Sequence, residues 1–560
     1  MKNHSLGSWI ARRAVLTGHR TAIIYGDQRW TYGELHDRML RLARALQDLG
    51  IRQGDRVAFL GPNHPGHLEC LFACGLLGAI AVPLHFRFNA SELTHAINEA
   101  RCEALIFAPE SEAVVESIRN HLCARRYIAT ANAPSFALDY EELLESASTE
   151  PLDREVTPDD VALINFTSGT TGTNKGVVLT HGNLIYNVFN FLSCSDYLSD
   201  DVMLTAAPLY RMGGLGTLLP VFFKGGTALI IKDFDPDDAL AQIERHRVTV
   251  LFNGPKQFAQ IAASPKFASS DLSSLRFCMC GGDVVPQRLI EAYLKRNVTF
   301  QQGYGLTETS PLVLLLDKDD SLTRLGSAGR PPLFTETRVV REDFTDVEPG
   351  EIGELVVRGP NVMTGYWEHP EWTEAAFEGE WLRTGDAAKL DDDGFVYIVD
   401  RIKDAMWLHG HRVFPAEIEV VLGEHPSVLD CAVVSEVDAA VAFVVPRPGV
   451  EVKPDELVFF CWQRVPSHMA PKQVRFVSDL PRNVNGKLMR RKLRELLAQG
   501  VPQAVPQARS GTVTRSTPAT IPPSVPPLQR TVAAPASAPR ATASEPSAPL
   551  NPSAVRANGR

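Results

Sequence analysis

The chain has 560 residues, a formal net charge of -10, 44% hydrophobic and 22% charged residues, enough for more than one domain with sizeable cores. Its acidic balance gives no electrostatic ground for binding nucleic acid, and its nine cysteines contain no C-x-x-C pair, which argues against a zinc site or disulfide framework and for the reduced core thiols of a cytoplasmic protein. No apolar signal core opens the chain, and the longest apolar run, CLFACGLLGAIAV at 70–82, is too short to cross a bilayer. It reads instead as a buried helix running into a strand.

From Trp30 to Thr335 apolar strands alternate with amphipathic helices, the pattern of α/β architecture. Thr31 with Glu34 at capping-box spacing predicts a helix start, and Gly50 predicts its end. SLRFCMCGGDVVPQRLIEAYLKR predicts a strand, a Gly-Gly turn and a helix with Pro286 in its first turn. Between Glu336 and Asp400 short strands and turns, TRVVRED, GELVVRG and DDDGFVYIVD, predict a small β subdomain. A second α/β pattern follows DRIKD at 400–404, with FPAEIEVVLGEHPSV as a helix. From about Gly500 the chain is rich in Pro, Ala, Ser and Thr and carries six arginines against one glutamate; it cannot bury enough apolar surface to fold and is expected to be disordered.

The run NFTSGTTGTNKGVVLT at 165–180 places glycines and hydroxyls between two apolar stretches that read as buried strands. Gly169, Gly172 and Gly176 let consecutive N–H groups turn toward one anion, Thr167, Ser168, Thr170, Thr171 and Thr173 add hydroxyl donors, and Lys175 adds a charge. A surface turn is the bland alternative. The run is no Walker A loop, because Gly172 is followed by Thr173, Asn174, Lys175 and a strand instead of Lys-Ser/Thr and a helix.

That loop is followed in order by QGYGLTET (302–309), WLRTGD (381–386), DRIKD (400–404), LHGHRVFPAEIE (408–419) and RNVNGKLMRRKLR (482–494). Together these motifs resemble the adenylate-forming superfamily of acyl-CoA synthetases, carrier-protein adenylation domains and luciferases, over all but the tail. The resemblance implies a large multi-subdomain N-terminal α/β domain (1–400) including the small β subdomain, a small mobile C-terminal α+β domain (401–499) and the tail (500–560). It implies two half-reactions: a carboxylate attacks the α-phosphorus of ATP and expels pyrophosphate, then a thiol displaces AMP.

The same resemblance places Thr167, Ser168, Gly169, Thr170, Thr171, Gly172 and Lys175 around the β and γ phosphates, Tyr304 on adenine, Thr307 at the α-phosphate and Glu308 on Mg²⁺. Asp386 and Arg401 would hold the ribose, Lys487 would bridge the acid and the nucleotide, Lys403 would be the hinge, and Gly410 would line the pantetheine tunnel. On residue type alone, Lys487 reads equally as a solvated lysine of a basic stretch and Gly410 as a turn glycine between His409 and His411, two histidines without a third metal ligand nearby.

Two positions depart from the pattern: Asn174 stands where proline usually precedes the loop lysine, and Arg211, in APLYRMGGLG, stands where a histidine is common. Arg211 has three readings: a partner for a substrate carboxylate or another acidic group, a contact to ATP, or an outward salt bridge. Gly281 and Asp283 in GGD, with Lys256 in FNGPKQFAQI, are candidates for a more polar pocket; Lys256 and Asp283 could also pair with each other. The expected activity is AMP-forming ligation of a fatty or related acid to CoA, with ATP and Mg²⁺. Two rivals are a ligase loading a carrier protein and a nucleotide-binding scaffold with weak catalysis, with the tail as a protein-docking arm in either case.

Overall fold

Two eight-stranded sheets sandwich a layer of helices in this computed structural model, which describes residues 2–167, 174–283, 285–482 and 488–499. All described residues fall within one compact unit, residues 1–505. The sites read at Ser168, Gly169, Thr170, Thr171, Gly172 and Lys487, and the tail, lie outside the described residues.

In spatial order the first sheet runs Leu312–Leu316, Phe300–Gly305, Phe277–Gly281, Val250–Asn253, Val202–Thr205, Thr227–Ile230, Thr21–Tyr25 and Gln28–Thr31. The second runs Gly365–Tyr366, Lys175–Thr180, Val161–Thr167, Ile80–Leu84, Arg56–Leu60, Cys102–Phe107, Arg126–Ala129 and Leu138–Asp139. Helices Leu6–Thr17, Tyr32–Asp48, Gly66–Leu77, His181–Cys194 and Met212–Lys224 fill the space between and share one apolar core with both sheets. Helices Pro236–His246, Pro255–Ala263 and Gln287–Leu294 cover the outer face of the first sheet, and Ala90–Glu99 with Glu112–Ile118 that of the second. Strands buried on both faces explain why the sequence runs are continuously apolar rather than alternating.

The expected caps are present. Thr31 accepts from the Glu34 amide while the Glu34 carboxylate accepts from the Thr31 amide at 2.7 Å, starting the helix Tyr32–Asp48. The apolar run at 70–82 is the helix Gly66–Leu77 turning through Gly78 (φ 76°) into Ile80–Leu84. Among the described residues no helix is long and apolar enough to cross a membrane. Pro286 differs from expectation by one position: its ψ of 136° is extended, so it flanks the helix Gln287–Leu294 instead of lying in its first turn. All nine cysteines are free thiols.

The expected β subdomain is a five-stranded antiparallel sheet of Glu336–Val340, Gly353–Arg358, Trp381–Leu390, Phe377–Glu378 and Val396–Arg401. Beyond it, strands Val428–Glu436, Ala439–Pro446 and Gln473–Phe476 carry helices Pro415–Gly423 and Pro454–Trp462 against one face and Arg490–Ala498 against the other.

Within the central layer His67 is held neutral. Its Nε2 faces the carbonyls of Gly61 (3.3 Å) and Pro62 (3.2 Å), its ring lies 4.1 Å from that of Phe59, and its buried Nδ1 has no partner among the described residues. Burial pushes its pKa down to about 3. Because the folded value lies below the unfolded value of about 6.5, the stability it contributes is full above that pH and is lost as pH falls toward the folded value, at about 1.4 kcal/mol per pH unit. Melting curves should therefore show an acid limb below pH 6.5 that is shallower in His67→Leu; equal slopes in both proteins would refute this.

Candidate active site

Four neighbouring parallel strands of the first sheet bring the pocket candidates to one edge. Val202–Thr205, Val250–Asn253, Phe277–Gly281 and Phe300–Gly305 end, in that order across the sheet, just before Arg211, Lys256, Asp283 and Glu308 in the chain. Carboxyl ends of parallel strands are where open α/β sheets bind ligands, because the loops there diverge and leave a crevice. Lys256 and Asp283 are both exposed at this edge, and Gly281 faces the Gly303 carbonyl closely enough that a Cβ would come within 3.1 Å.

Tyr304 leaves its strand toward the β subdomain. Its hydroxyl donates to Asp386 Oδ2, while Arg401 Nε lies 2.9 Å from Asp386 Oδ1 and Arg401 Nη1 donates to the Thr384 carbonyl at 3.3 Å. Asp386 and Arg401 face each other in register across neighbouring antiparallel strands, so the ion pair is fixed by the sheet. Burial, reinforced by the Asp386 carboxylate, pushes the Tyr304 phenol well above its ordinary value, which keeps it a donor. Thr307 and Glu308 form a single 3-10 turn. The approach to it requires glycine at Gly305, where a Cβ would lie 1.6 Å from the Pro311 carbonyl oxygen.

The strands flanking the loop run are as expected: Val161–Thr167 and Lys175–Thr180 form an antiparallel pair in which Thr167 opposes Lys175. The Lys175 ammonium lies 4.7 Å from the Tyr366 ring centroid and 5.0 Å from that of Trp372. Tyr366 in turn donates to Glu308 Oε1 at 3.0 Å. Neither aromatic was singled out from the sequence; GYWEHPEW held the signal, three aromatics beside a short strand.

Arg211 points inward. It caps the helix Met212–Lys224, half-buried, with Nη2 3.4 Å from His85 Nε2 and its guanidinium carbon 5.9 Å from the Tyr210 ring centroid. Among the described residues no carboxylate lies within salt-bridge distance of it, so the outward salt bridge is not found. Burial is the main cause pulling its pKa down, and Arg87 adds to it. The His85 ring lies 4.4 Å from Tyr210 and 5.0 Å from Phe88. Asn253, fully buried at the end of its strand, has no hydrogen-bond partner for either amide atom among the described residues, and the same is true of Gln302 Nε2; each is in register with Cys280 between them.

The hinge candidate Lys403 is exposed in a 3-10 turn, Ile402–Asp404, directly after Arg401. Beside it Asp400 Oδ2 accepts from the Ala416 amide at 3.0 Å and lies 3.6 Å from Arg490, whose guanidinium grips Glu419 at 2.9 and 3.0 Å. Burial pushes Glu419 up to about 7 against the pull of Arg490. Gly410 turns a hairpin between Met406–Leu408 and His411–Val413 with φ 79°, and a Cβ there would meet no atom within 4 Å. His409 pairs with Asp438 at 3.1 Å and His411 stacks on His468, and no metal-binding group of three ligands occurs among the described residues.

A phenol, a carboxylate and a guanidinium thus meet where the first sheet joins the β subdomain, and Tyr366 links Glu308 to the Lys175 ammonium. The AMP-binding enzyme family matches residues 10–367, and the AMP-binding enzyme C-terminal domain matches 417–487. Feruloyl-CoA synthase of Amycolatopsis sp is 43% identical over 500 residues, covering 88% of this chain and 99% of the relative. Indoleacetate–CoA ligase of Aromatoleum aromaticum is 36% identical over 501 residues, covering 88% and 98%. Among solved structures, an anthranilate CoA ligase in complex with anthranoyl-AMP matches with a TM-score of 0.83 at 26% identity, covering 90% of this chain and 99% of that one. O-succinylbenzoate CoA synthetase of Bacillus subtilis, in complex with ATP and magnesium ion, matches with a TM-score of 0.77 at 31% identity, covering 87% and 99%. The chain belongs to the AMP-binding enzyme family. It is an AMP-forming acid–thiol ligase that activates a carboxylic acid with ATP and transfers the acyl group to CoA.

Asp386→Asn should weaken ATP and AMP binding alike, by about 10- to 100-fold, because a charged acceptor is lost in a buried setting. Tyr304→Phe should cost less, about fivefold, since one neutral donor is removed. Calorimetric titration with each nucleotide checks both.

Proposed function

We propose that the acid is an aromatic carboxylate, recognised at the sheet edge by Arg211 beside the rings of His85 and Tyr210. The observation that carries this reading is the half-buried Arg211 guanidinium, which no described carboxylate neutralises, set against an aromatic wall. A buried cation without a counter-charge is costly, and an incoming carboxylate offsets that cost through a bidentate contact. Ferulate and indoleacetate, named for two of the relatives, are both aromatic carboxylates. The Asn253 amide and Gln302 Nε2, without partners among the described residues and on strand ends flanking that of Cys280, suit an acid with a polar ring substituent.

Chemistry at this site needs two anions brought together. ATP supplies the phosphorus electrophile and the pyrophosphate leaving group, with Mg²⁺ neutralising the triphosphate. Lys175 with the loop at 167–173 holds the β and γ phosphates, Glu308 the metal, Thr307 the α-phosphate, and Tyr304, Asp386 and Arg401 the nucleoside. The residues fit these groups: Tyr304, Asp386 and Arg401 offer a phenol, a carboxylate and a guanidinium for a sugar and base, and Gly282, with φ 93° and no atom within 4 Å of a Cβ, leaves open space beside Gly281. Lys487 bridges the two anions during attack. Lys403 is the pivot that then exchanges the faces of the C-terminal domain, and Gly410 admits the thiol arm. CoA is the acceptor in preference to a carrier protein, since the relatives are CoA ligases.

Product mass spectrometry after incubation with Mg-ATP, CoA and a pool of aryl, fatty and dicarboxylic acids tests the reading; an aryl-CoA thioester is expected, and exclusive use of fatty acids would overturn it. Arg211→Ala should raise KM for the acid at least about tenfold with ATP affinity unchanged, and Arg211→His should recover much of the loss. The two half-reactions separate two other variants. Lys487→Ala should abolish acid-dependent pyrophosphate exchange while leaving thioester formation from supplied acyl-adenylate, and Gly410→Leu should do the reverse; loss of both half-reactions in each folded variant would defeat the two-face assignment.

A further inference from the structure

Residues 363–373 touch both sides of the phosphate site. The strand Gly365–Tyr366 pairs with Lys175–Thr180, Gly365 opposite Val178 and Tyr366 opposite Val177, and the Trp367 amide extends the ladder to the Gly176 carbonyl at 2.8 Å. On the other side the Met363 amide donates to the Glu308 carbonyl at 2.8 Å, and the Tyr366 hydroxyl donates to the Glu308 side chain. This short segment therefore ties the lysine of the loop to the carboxylate of the 3-10 turn.

The lysine itself is held by ring faces. Its ammonium sits 4.7 and 5.0 Å from the centroids of Tyr366 and Trp372, within the range of cation–π attraction, and no described carboxylate lies within salt-bridge distance. Trp372 is fixed in turn: His369 stacks on it at 3.6 Å with planes 14° apart, and His369 Nδ1 lies 2.9 Å from Glu371. Thr373 Oγ1 accepts from the Tyr366 amide at 2.9 Å and donates to the His369 carbonyl at 3.1 Å, so both walls are locked to one turn. Burial, with Glu308 beside it, pushes the Tyr366 phenol upward, consistent with a hydroxyl that donates. Ring faces orient a cation without discharging it. A carboxylate in the same place would compete with phosphate for the ammonium.

We propose that Tyr366 and Trp372 are positioning residues, an aromatic cage that aims Lys175 at the β and γ phosphates of ATP, with Tyr366 also setting the side chain of Glu308. The proposal rests on the assignment of Lys175 to those phosphates and of Glu308 to the metal. Because Trp372 acts through Lys175 alone, it affects ATP and spares AMP, which has no β or γ phosphate. It also has no effect once Lys175 is gone.

Calorimetric titration of full-length Trp372→Leu with Mg-ATP and with AMP tests it, beside Trp372→Phe, Lys175→Ala and the Lys175→Ala/Trp372→Leu double variant. Trp372→Leu should weaken ATP about 3- to 10-fold and leave AMP unchanged, Trp372→Phe should restore affinity, and the tryptophan substitution should add nothing in the Lys175→Ala background. Tyr366→Phe keeps the ring and should raise the Mg²⁺ concentration that half-saturates ATP binding. Equal weakening of ATP and AMP by Trp372→Leu, or the same loss with and without Lys175, would reduce Trp372 to a structural role and overturn the cage. Unchanged ATP affinity in Lys175→Ala would instead remove the phosphate assignment beneath it.

Discussion

Three buried asparagines on the helix His181–Cys194 hold the parts of the active site in place. Asn183, Asn187 and Asn190, at helical spacing on one face, send their side chains to neighbouring segments, mostly to their backbone. Asn183 donates to the carbonyls of Pro360 and Val362 at 2.8 Å; Asn187 accepts from the Leu312 amide and donates to the Gly216 carbonyl; Asn190 accepts from the Phe334 amide and donates to Thr335. Asn361 completes the lattice by donating to the carbonyls of Thr309 and Leu312. Loop backbone buried without strand partners needs such bonds, because each unpaired group costs about 1–3 kcal/mol. The loops secured this way lead into Glu308, the Arg211 helix and the Tyr366 strand, so the site inherits its geometry from one helix face.

What could be read from the sequence follows the range of each interaction. The capped helix at Thr31, the strands around the Gly/Thr loop and the three short strands after Glu336 are local patterns, and they fold as expected. Pro286 shows the limit of even local reasoning, since proline fixes φ but leaves ψ free to end extended. Contacts between distant segments were not legible. Nothing near Arg211 in the chain announces His85 as its neighbour, and nothing near Lys175 announces Tyr366 and Trp372. The Asn253 and Gln302 amides likewise look ordinary in sequence; only the strand order places them on parallel ends either side of Cys280, and only the packing leaves Asn253 and Gln302 Nε2 without partners among the described residues.

The three cations around the site are held by different means, and the differences suit their tasks. Arg401 is paired with Asp386, so it contributes hydrogen bonds and shape with little net charge. Lys175 faces rings and Arg211 faces an imidazole, so both keep a net positive field. In a protein with a net charge of -10, these two points would, on the proposed assignment, supply the local attraction for two anionic substrates that repel each other. They sit on different sheets, one on the hairpin of the second and one beyond the parallel strands of the first, which under the proposal would keep the phosphates and the acid at distinct ends.

The boundary between the large and small domains is itself an electrostatic knot. Asp400, the penultimate residue of its strand, accepts from the first turn of the helix Pro415–Gly423 and faces Arg490, three residues beyond Lys487 in the chain. A rotation about residues 401–404 that separates Asp400 from the small domain has to break both contacts. It need not strand a charge, because Glu419 moves with Arg490 and keeps its bidentate grip. Asp400 would be released into water at the same time, where a carboxylate is stable alone. Buried ion pairs cost most when one partner is left behind unpaired, and this arrangement avoids that outcome in both positions. The knot can therefore define one orientation of the C-terminal segment without making departure from it prohibitive, as the proposed exchange of faces between two half-reactions would require.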